Sequence, residues 1–537
     1  MRTLRPRRNL VRVTIAVMLT GVLGALPSSA GSANSAPLPW VEGQVLLALF
    51  PSLPDTSWID RAIDDPFTVL EQVAPLNDFV RVCGPRTGIG AMKVLQFEDE
   101  AAAAAATPRL AAMPGVKFAQ RNHRVTPTGH TSPSPGGDPA TDPRFAEQWA
   151  LENTGQIAGQ FPPKAGTPGQ DIRVKPAWAQ GTTGEGQVIA ILDEGLSINH
   201  PDLADNIWTN DGEIAGNDID DDGNGWVDDV HGWNYVQGNP HPRVGRHGTN
   251  VAGIAAASGG NGLGGSGVAP GAMLMPVDWI GDDPATLSGL NAMGAFAYAV
   301  ANGATVINNS WGFVAPVGIG SPSMRAAVEC ARQADIVISW SSGNLFAVPQ
   351  SWPAYYPADN VLVVSSFDNA GCPDLITHQD PALVDLIAPG VNVLTTGGSE
   401  SYGEFSGSSA AAPHVAGVAA LVRSAYPHLN AAEVAHALRA GSRRDFIEPW
   451  TRSLGYLSAQ GALAAAASGA ILPVDSGTDL DSSSIMRCHV RPDLDLIDQV
   501  IPAYLNLGPA FVDAFVPGGW PSEAPRPGNL WPGLPRP

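Results

Sequence analysis

The chain has 537 residues, 44% of them hydrophobic, with 60 glycines and 48 prolines, a composition typical of a globular protein with many turns. It has no internal repeat of fixed period, which excludes solenoid and propeller folds. The formal net charge of −21 disfavours nucleic acid or anionic lipid as a binding partner, because both are negatively charged themselves.

The first 30 residues have the pattern of a cleaved signal peptide. Five arginines precede a short apolar stretch, Val13 to Leu26, and the small residues Ser28-Ser29-Ala30 follow it. The alternative is a membrane anchor, but 14 residues are too few to cross a hydrocarbon core of about 30 Å as a helix. We therefore expect residues 1–30 to be removed. The remaining sequence predicts no membrane span, and we expect a secreted protein, extracellular or in the cell envelope.

Residues 37–125 are predicted to form a small α+β domain. Val45 to Phe50 is typical of a strand, Glu100 to Met113 is an alanine-rich helical stretch, and Gly115 to Arg124 is typical of a closing strand. Residues 126–141 are rich in Pro, Gly, Ser and Thr. This composition predicts a linker that forms no compact structure.

Residues 142–467 alternate between apolar runs and helical stretches, which predicts an α/β domain. Strands are expected at Val188 to Leu192, Met273 to Val277, Thr305 to Ile307, Ile336 to Ser339, Val361 to Val364 and Val384 to Ala388. Helices are expected at Thr249 to Ala257, Leu287 to Ala301, Ser323 to Gln333, Ala410 to Ser424 and Gly455 to Ala467. The pattern predicts three layers around a mostly parallel sheet, with the site at the carboxyl ends of the strands. Residues 468–537 are predicted to be a Pro-rich C-terminal extension.

Three segments of this domain carry residues suited to nucleophilic catalysis. Asp193 ends a predicted buried strand, His247 begins an Ala/Gly-rich helix, and Ser409 lies in a Gly/Ser loop that leads into an apolar helix. A hydroxyl becomes a good nucleophile when a histidine takes its proton, and a carboxylate holds that histidine in the required tautomer. The chain order Asp–His–Ser differs from the order in α/β-hydrolases. The sequence therefore predicts a catalytic triad of these three residues.

The three segments resemble the signatures of the subtilases, a family of serine endopeptidases, and the resemblance extends over residues 142–467. It implies a subtilisin-like fold and hydrolysis of polypeptide substrates through an acyl-enzyme intermediate. Ser339 to Asn344 resembles the family's oxyanion-hole motif, in which the Asn344 side chain and the backbone N–H of Ser409 would bind the oxyanion. The substrate-binding residues that the resemblance implies are Ser310, Trp311, Gly312 and Gly343.

Some residues beside these motifs depart from the family pattern, although none replaces a triad member. They are Glu194, where Ser or Thr is common, Asn250, where His is common, and Ser408 and Ala410, where Thr and Met are common. A carboxylate at position 194 acts to raise the pKa of His247. One alternative function is a catalytically impaired binding protein on the same fold, which the intact triad opposes. Another is a different serine hydrolase such as an esterase, which the chain order opposes.

The family resemblance also suggests a role for the N-terminal part of the chain. Subtilases are made with a prodomain that assists folding and occupies the active site until it is cut away. Residues 37–125 have the position and size of such a prodomain, and residues 126–141 would contain the processing site. We therefore expect a zymogen that cuts itself between residues 125 and 142. Its own prodomain would act as an intramolecular inhibitor, and the active enzyme would be a monomer.

The chain contains four cysteines, Cys83, Cys330, Cys372 and Cys488. None belongs to a C-x-x-C pair, which argues against zinc or thioredoxin-like chemistry, and export to an oxidising compartment favours disulfides. Cys83 falls in the segment that is expected to be removed. The sequence therefore predicts a disulfide between Cys330 and Cys372, which leaves Cys488 unpaired.

An acidic stretch, Asp218 to Asp229, has the ligand spacing of an EF-hand-type calcium loop. Oxygen-bearing side chains stand at loop positions one, three and five, a glycine stands at six and an acid at twelve. The predicted ligands are Asp218, Asp220, Asp222, Asn224 and Asp229. The alternative is an acidic surface turn that binds no ion. Many subtilases hold surface loops with calcium, so the resemblance favours a structural calcium ion.

Overall fold

The structure is a computed structural model that describes residues 40–49, 51, 67–70, 73–123, 126–127, 130–131, 143–159, 163–281, 289–312, 322–344, 356–374, 376–377, 383–444 and 455–469. The predicted signal peptide, Cys488 and all but the first two residues of the predicted C-terminal extension lie outside these ranges. Within them, no helix is both long enough and apolar enough to cross a membrane.

Residues 40–123, called the N-terminal segment below, form an antiparallel sheet with two helices. The elements in chain order are β1 (Trp40–Leu49), β2 (Phe67–Leu70), α1 (Ala74–Thr87), β3 (Ala91–Phe97), α2 (Glu100–Ala111) and β4 (Val116–His123). The strand order across this sheet is β2-β3-β1-β4, and all three pairings are antiparallel. The segment thus has the α+β composition that the sequence predicts.

Strand β1 divides its side chains between two cores, because successive side chains of a strand point to opposite faces. Val45, Leu47 and Leu49 belong to a small core that includes the buried residues of α2. The intervening residues Leu46 and Ala48 belong to the large core, which includes α1 and the sheet of the following domain. The N-terminal segment is therefore packed into the rest of the protein through one face of its sheet.

Short two-residue strands follow the N-terminal segment. They are β5 (Thr126–Pro127), β6 (His130–Thr131), β7 (Ile157–Ala158) and β8 (Lys164–Ala165). Strands β5 and β6 lie within residues 126–141, for which the sequence predicts no compact structure. That prediction is wrong for these four residues, because each short strand pairs with a strand of the domain that follows.

Residues 143–469, called the α/β domain below, are built on an eight-stranded sheet in which every pairing is parallel. Its strands are β9 (Val188–Asp193), β10 (Trp233–Asn234), β11 (Met273–Asp278), β12 (Val306–Asn309), β14 (Val337–Ser341), β15 (Val361–Phe367), β16 (Leu386–Pro389) and β19 (Gly455–Tyr456). Their order across the sheet is β10-β11-β9-β12-β14-β15-β16-β19. The predicted parallel sheet is confirmed, and the apolar runs form its buried strands.

Two further small sheets receive the strands of the linker. β13 (Trp311–Gly312) pairs antiparallel with β5. β18 (Tyr402–Ser406) pairs antiparallel with β17 (Val393–Thr396) on one side and with β6 on the other. The linker is therefore held at two points, one on each of these sheets.

The helices of the α/β domain lie on both faces of the sheet. They are α3 (Lys175–Trp178), α4 (Arg246–Ala256), α5 (Gly289–Ala301), α6 (Pro322–Gln333), α7 (Ser408–Ala425), α8 (Ala431–Ala440) and α9 (Ala459–Ser468), with 3-10 turns at Phe145–Glu147 and Ala204–Asn206. The connection through α4 joins the neighbouring strands β10 and β11, whereas α5 connects β11 to β12 and α6 connects β12 to β14. Helix α7 packs against α4.

The predicted disulfide between Cys330 and Cys372 is wrong. Cys330 in α6 is bonded to Cys83 in α1, with 5.3 Å between the two Cα atoms. Helix α1 packs on α5 and α6, so the two cysteines meet across an interface between parts of the chain that are 247 residues apart. Cys372 is itself disulfide-bonded rather than a free thiol. This pairing was not predicted, because Cys83 was expected to leave the protein with the N-terminal segment.

Candidate active site

Asp193 and His247 meet where a strand ends and a helix begins. Asp193 is the last residue of β9, and His247 lies in the first turn of α4. The Nδ1 atom of His247 is 2.8 Å from Oδ1 of Asp193 and 3.0 Å from Oδ2, and both side chains are buried. A carboxylate at this position keeps the proton on Nδ1, so that Nε2 is the basic nitrogen.

The surroundings of His247 act on its pKa in opposite directions. Burial acts to lower the pKa because it disfavours the charged imidazolium. The charge of Asp193, its hydrogen bond and the charge of Glu194 act to raise it, and together they outweigh burial. The pKa of His247 is therefore raised, which makes the imidazole a stronger base for a neighbouring hydroxyl proton.

Glu194, one of the departures from the family pattern, has a defined contact. Its Oε1 accepts a hydrogen bond of 2.7 Å from the backbone N–H of His247. Gly245 is the N-cap residue of α4 and has no side chain that could accept this bond. Glu194 therefore caps the helix from outside and places a negative charge at its N-terminus, where the helix dipole favours one.

Ser409 lies in the first turn of α7, because this helix begins at Ser408, two residues earlier than the sequence predicts. Its Oγ donates a 3.0 Å hydrogen bond to the carbonyl of Ser310, and the Ser310 hydroxyl donates one of 3.0 Å to the carbonyl of Ser409. Nε2 of His247 has no hydrogen-bond partner among the residues that the structure describes. The structure thus joins two of the three predicted triad residues by a hydrogen bond, and hydrogen bonds to a nucleophile often form only with substrate present.

Asn344 is held by its side-chain oxygen, which leaves its N–H₂ group as the donor. Oδ1 accepts hydrogen bonds of 2.9 Å from both the backbone N–H and the hydroxyl of Ser408. The Ser408 hydroxyl in turn accepts a bond of 3.1 Å from the backbone N–H of Gly343. Gly407 has a φ of 119°, and a Cβ at this residue would lie 2.9 Å from Nδ2 of Asn344. A glycine is therefore needed here both for its backbone conformation and for this close approach.

The residues predicted to bind substrate form the edge strand β13 and its neighbours. The Trp311 side chain is fully buried, with its ring 4.5 Å from that of Trp279 and 4.9 Å from that of Trp340. It is therefore part of an aromatic core and does not line an open pocket. The backbone of Trp311 and Gly312 pairs with Pro127 and Thr126 of the linker.

The linker also pairs on the other side of Ser409. His130 pairs with Ser406, three residues before Ser409, and Thr131 pairs with Phe405. The Phe405 ring lies 5.4 Å from the His247 ring, in an edge-to-face arrangement. The chain's own linker is thus bound in extended form on both sides of the predicted nucleophile.

The acidic stretch brings two of its predicted ligands together with a third residue. Carboxylate oxygens of Glu213, Asp220 and Asp222 lie within 4.8 Å of one another. Oδ1 of Asp220 is buried and has no hydrogen-bond partner among the described residues. Several carboxylates with a buried oxygen that lacks a partner fit a hard divalent cation such as Ca²⁺. Glu213 was missed because it precedes the twelve-residue spacing, and its carboxyl type is the only signal that could have indicated it.

The other three predicted ligands make different contacts. The backbone N–H of Asp218 donates to Asp228, and the Asn224 side-chain oxygen accepts from the N–H of Trp226. Asp229 accepts a 2.7 Å hydrogen bond from the Tyr298 hydroxyl, and burial raises its pKa to about 6. Asp218 and Asp229 do not belong to the carboxylate group of Glu213, Asp220 and Asp222, whereas the Asn224 side chain donates a 3.1 Å hydrogen bond to Asp222.

Comparison with known proteins shows what this chain is similar to. It matches the subtilase family, Peptidase S8, over residues 184–456. It is 34% identical to thermitase from Thermoactinomyces vulgaris over 257 residues, which cover 48% of this chain and 81% of thermitase. It is 33% identical to subtilisin-like protease 1 from Plasmodium berghei over 273 residues, which cover 47% of this chain and only 45% of that relative.

Among solved structures, the chain is similar to fervidolysin from Fervidobacterium pennivorans, described as a keratinolytic enzyme related to subtilisin. The TM-score is 0.56 with 21% sequence identity, over 80% of this chain and 62% of fervidolysin. At this identity the likeness concerns the fold, and it agrees with the parallel sheet flanked by helices.

The contact of Glu194 with His247 predicts a change in pH dependence. In Glu194→Gln the side-chain oxygen can still accept from the His247 N–H, but the charge that raises the pKa of His247 is lost. The pKa should fall, and because the base acts when neutral, the acid limb of the kcat/KM profile for a peptide substrate should move to lower pH. Glu185→Gln, which alters an exposed carboxylate just before the opposite end of β9, should leave the limb in place. An unmoved limb in Glu194→Gln would contradict an electrostatic role for this residue.

Proposed function

The chain belongs to the subtilase family, and we propose that it is a serine endopeptidase with Ser409 as its nucleophile, His247 as its general base and Asp193 as the carboxylate that orients the base. The observation that carries this proposal is the 2.8 Å hydrogen bond from His247 to Asp193 beside strands β13 and β18, with which the chain's own linker pairs as an extended peptide. Polypeptides are therefore the proposed substrates, bound as an added strand along β13.

The proposed reaction begins with a rotation of the Ser409 side chain. Its hydroxyl leaves the Ser310 carbonyl and turns towards Nε2 of His247, which has no partner among the described residues. As Oγ attacks the substrate carbonyl carbon, its proton passes to Nε2, and the charge of Asp193 stabilises the imidazolium. The carbonyl oxygen becomes an oxyanion. It accepts hydrogen bonds from Nδ2 of Asn344 and the backbone N–H of Ser409.

The intermediate then collapses to an acyl-enzyme. The peptide C–N bond breaks, and His247 gives its proton to the departing amine. Water enters, His247 takes one of its protons, and the hydroxide attacks the ester of Ser409. A second tetrahedral intermediate releases the carboxylic acid and returns the proton to Ser409.

Self-processing in the linker is part of the proposal, together with secretion as a zymogen. Thr126 pairs with Gly312 and Pro127 with Trp311, which directly follows Ser310, whose carbonyl accepts the Ser409 hydroxyl. On the other side, His130 pairs with Ser406. This register supports a cut between Pro127 and His130, a narrower interval than the sequence predicts.

A structural calcium ion is proposed at Glu213, Asp220 and Asp222. The ion would neutralise three carboxylates that otherwise repel one another and would supply a partner for the buried Oδ1 of Asp220. It would take no part in peptide hydrolysis. Its proposed effect is to hold the acidic loop in place.

The nucleophile is tested by Ser409→Ala. Removing the hydroxyl should lower peptide hydrolysis by several orders of magnitude, because binding and the oxyanion donors alone supply only a small part of the rate. Ser424→Ala, which removes a hydroxyl at the other end of the same helix, should keep its activity. If the Ser409→Ala protein retained a tenth of the wild-type kcat, another residue would be the nucleophile.

The processing site is tested by the mass of the released fragments. The wild-type precursor should yield an N-terminal fragment that ends between Pro127 and His130, and the Ser409→Ala precursor should stay uncut. Intact-mass measurement of the reduced fragments defines both ends, even if later trimming shortens the second chain. A fully active wild-type enzyme whose chain is uncut between residues 31 and 142 would contradict self-processing.

The metal site is tested by calcium-dependent thermal unfolding. Calcium should raise the melting temperature, because a ligand that binds only the folded state stabilises it. Asp220→Asn should lose most of this response, since it removes a charge from the group of three carboxylates. Asp218→Asn should keep the response, since Asp218 lies outside that group and asparagine tolerates its positive φ of 58°. Loss of the response in Asp218→Asn alone would favour the EF-hand spacing instead.

A further inference from the structure

We propose that the N-terminal segment stays bound to the α/β domain after the linker is cut, as the second chain of a disulfide-linked enzyme. This inference rests on the proposed self-processing, which explains how the linker would be cut in the cell. The contacts that keep the two parts joined do not depend on how the cut arises. The inference replaces the expectation from the sequence that the active enzyme loses Cys83.

A covalent bond joins the N-terminal segment to the α/β domain. The predicted cut, between Pro127 and His130, follows Cys83 and precedes Cys330, and the disulfide joins these two cysteines. Hydrolysis of the linker therefore separates two chains that remain bonded to each other. Both cysteines are fully buried, so a reductant in solution has no direct access to the bond while the interface is closed.

Apolar side chains pack around this bond. Leu76 and Phe79 of α1 are buried in the same core as the helices and strands of the α/β domain. Helix α1 lies so close to α5 that a Cβ at Gly294 would be 2.8 Å from Cβ of Pro75. Such an interface resembles a domain interior, and separating it would expose the apolar surface of both parts to water.

Polar contacts also join α1 to the acidic stretch, Asp218 to Asp229, and to Tyr235, which follows that stretch. The Tyr235 hydroxyl donates a 3.1 Å hydrogen bond to Asp78 and accepts one of 3.1 Å from the Trp226 indole. The Arg81 guanidinium lies over the Trp226 ring, 4.3 Å from its centroid, and donates to the carbonyl of Asn224. The N-terminal segment thus supplies the Arg81 cation to the stretch that carries the proposed calcium ligands. Separation of the segment would remove this cation from that stretch.

A further contact joins β4 to the start of α6. The Gln120 side chain donates a 2.9 Å hydrogen bond to the Ser323 hydroxyl and accepts one of 3.0 Å from the Ser323 backbone N–H. Both residues are buried, and separation would break these two hydrogen bonds. The contacts of α1 and β4 are typical of a permanent subunit rather than of an inhibitor that dissociates.

The test uses a chain that cannot cut itself. In the full-length Ser409→Ala protein, residues 132–138 are replaced by the recognition sequence of a site-specific viral protease, and that protease is added. The cleaved protein should run as one band of full mass on a non-reducing denaturing gel and as two bands after reduction. Two bands without reductant, in protein with no free thiols, would overturn the proposal.

The matched control is the Cys83→Ser/Cys330→Ser double variant of the same protein, which should give two bands without reductant. If that variant fails to fold, non-reducing peptide mapping of the cleaved parent decides the question, because it must contain a peptide pair that joins Cys83 to Cys330. Wild-type enzyme that has cut itself should behave as the cleaved parent does. A wild type that stays uncut would contradict the proposed self-processing and would leave the result with the added protease unaffected.

Discussion

The hydrogen bond between His247 and Asp193 depends on the position of one strand end relative to one helix start. Strand β9 lies between β11 and β12 in a parallel sheet, so its carboxyl end is at the centre of the edge where the connections lead into helices. The backbone N–H groups at the start of α4 need an acceptor, and Glu194 supplies it directly after Asp193. Asp193 thus holds the imidazole of His247, and Glu194, the next residue, holds the backbone N–H of the same histidine.

The proposed nucleophile and the proposed oxyanion donor depend on a second strand end in the same sheet. Asn344 follows β14, and its amide oxygen is held by Ser408, which begins α7. Ser408 differs from the threonine that is common in the family, yet its hydroxyl bonds both Asn344 and the N–H of Gly343. Glu194 and Ser408, which depart from the family pattern, therefore make polar contacts within the site, and neither residue disrupts it.

Features that depend on local sequence pattern could be predicted from the sequence. Buried parallel strands appear as apolar runs, and the motifs around Asp193 and His247 identify two residues that the structure joins by a hydrogen bond. Features that depend on distant contacts were not predictable. Cys83 and Cys330 meet because α1 packs on α6, and Glu213 joins Asp220 and Asp222 because the loop folds back. The linker strands depend on pairing with β13 and β18, which composition cannot reveal.

The central claim is that Ser409 is activated by His247 as the nucleophile of a serine endopeptidase. It is tested most directly by mapping the adduct of a fluorophosphonate, which reacts with an activated serine hydroxyl. After the wild-type enzyme is labelled and digested, mass spectrometry should find one modified residue, Ser409, and labelling should be lost in His247→Ala. An adduct on another serine, or no adduct on an enzyme that still hydrolyses peptides, would contradict the account.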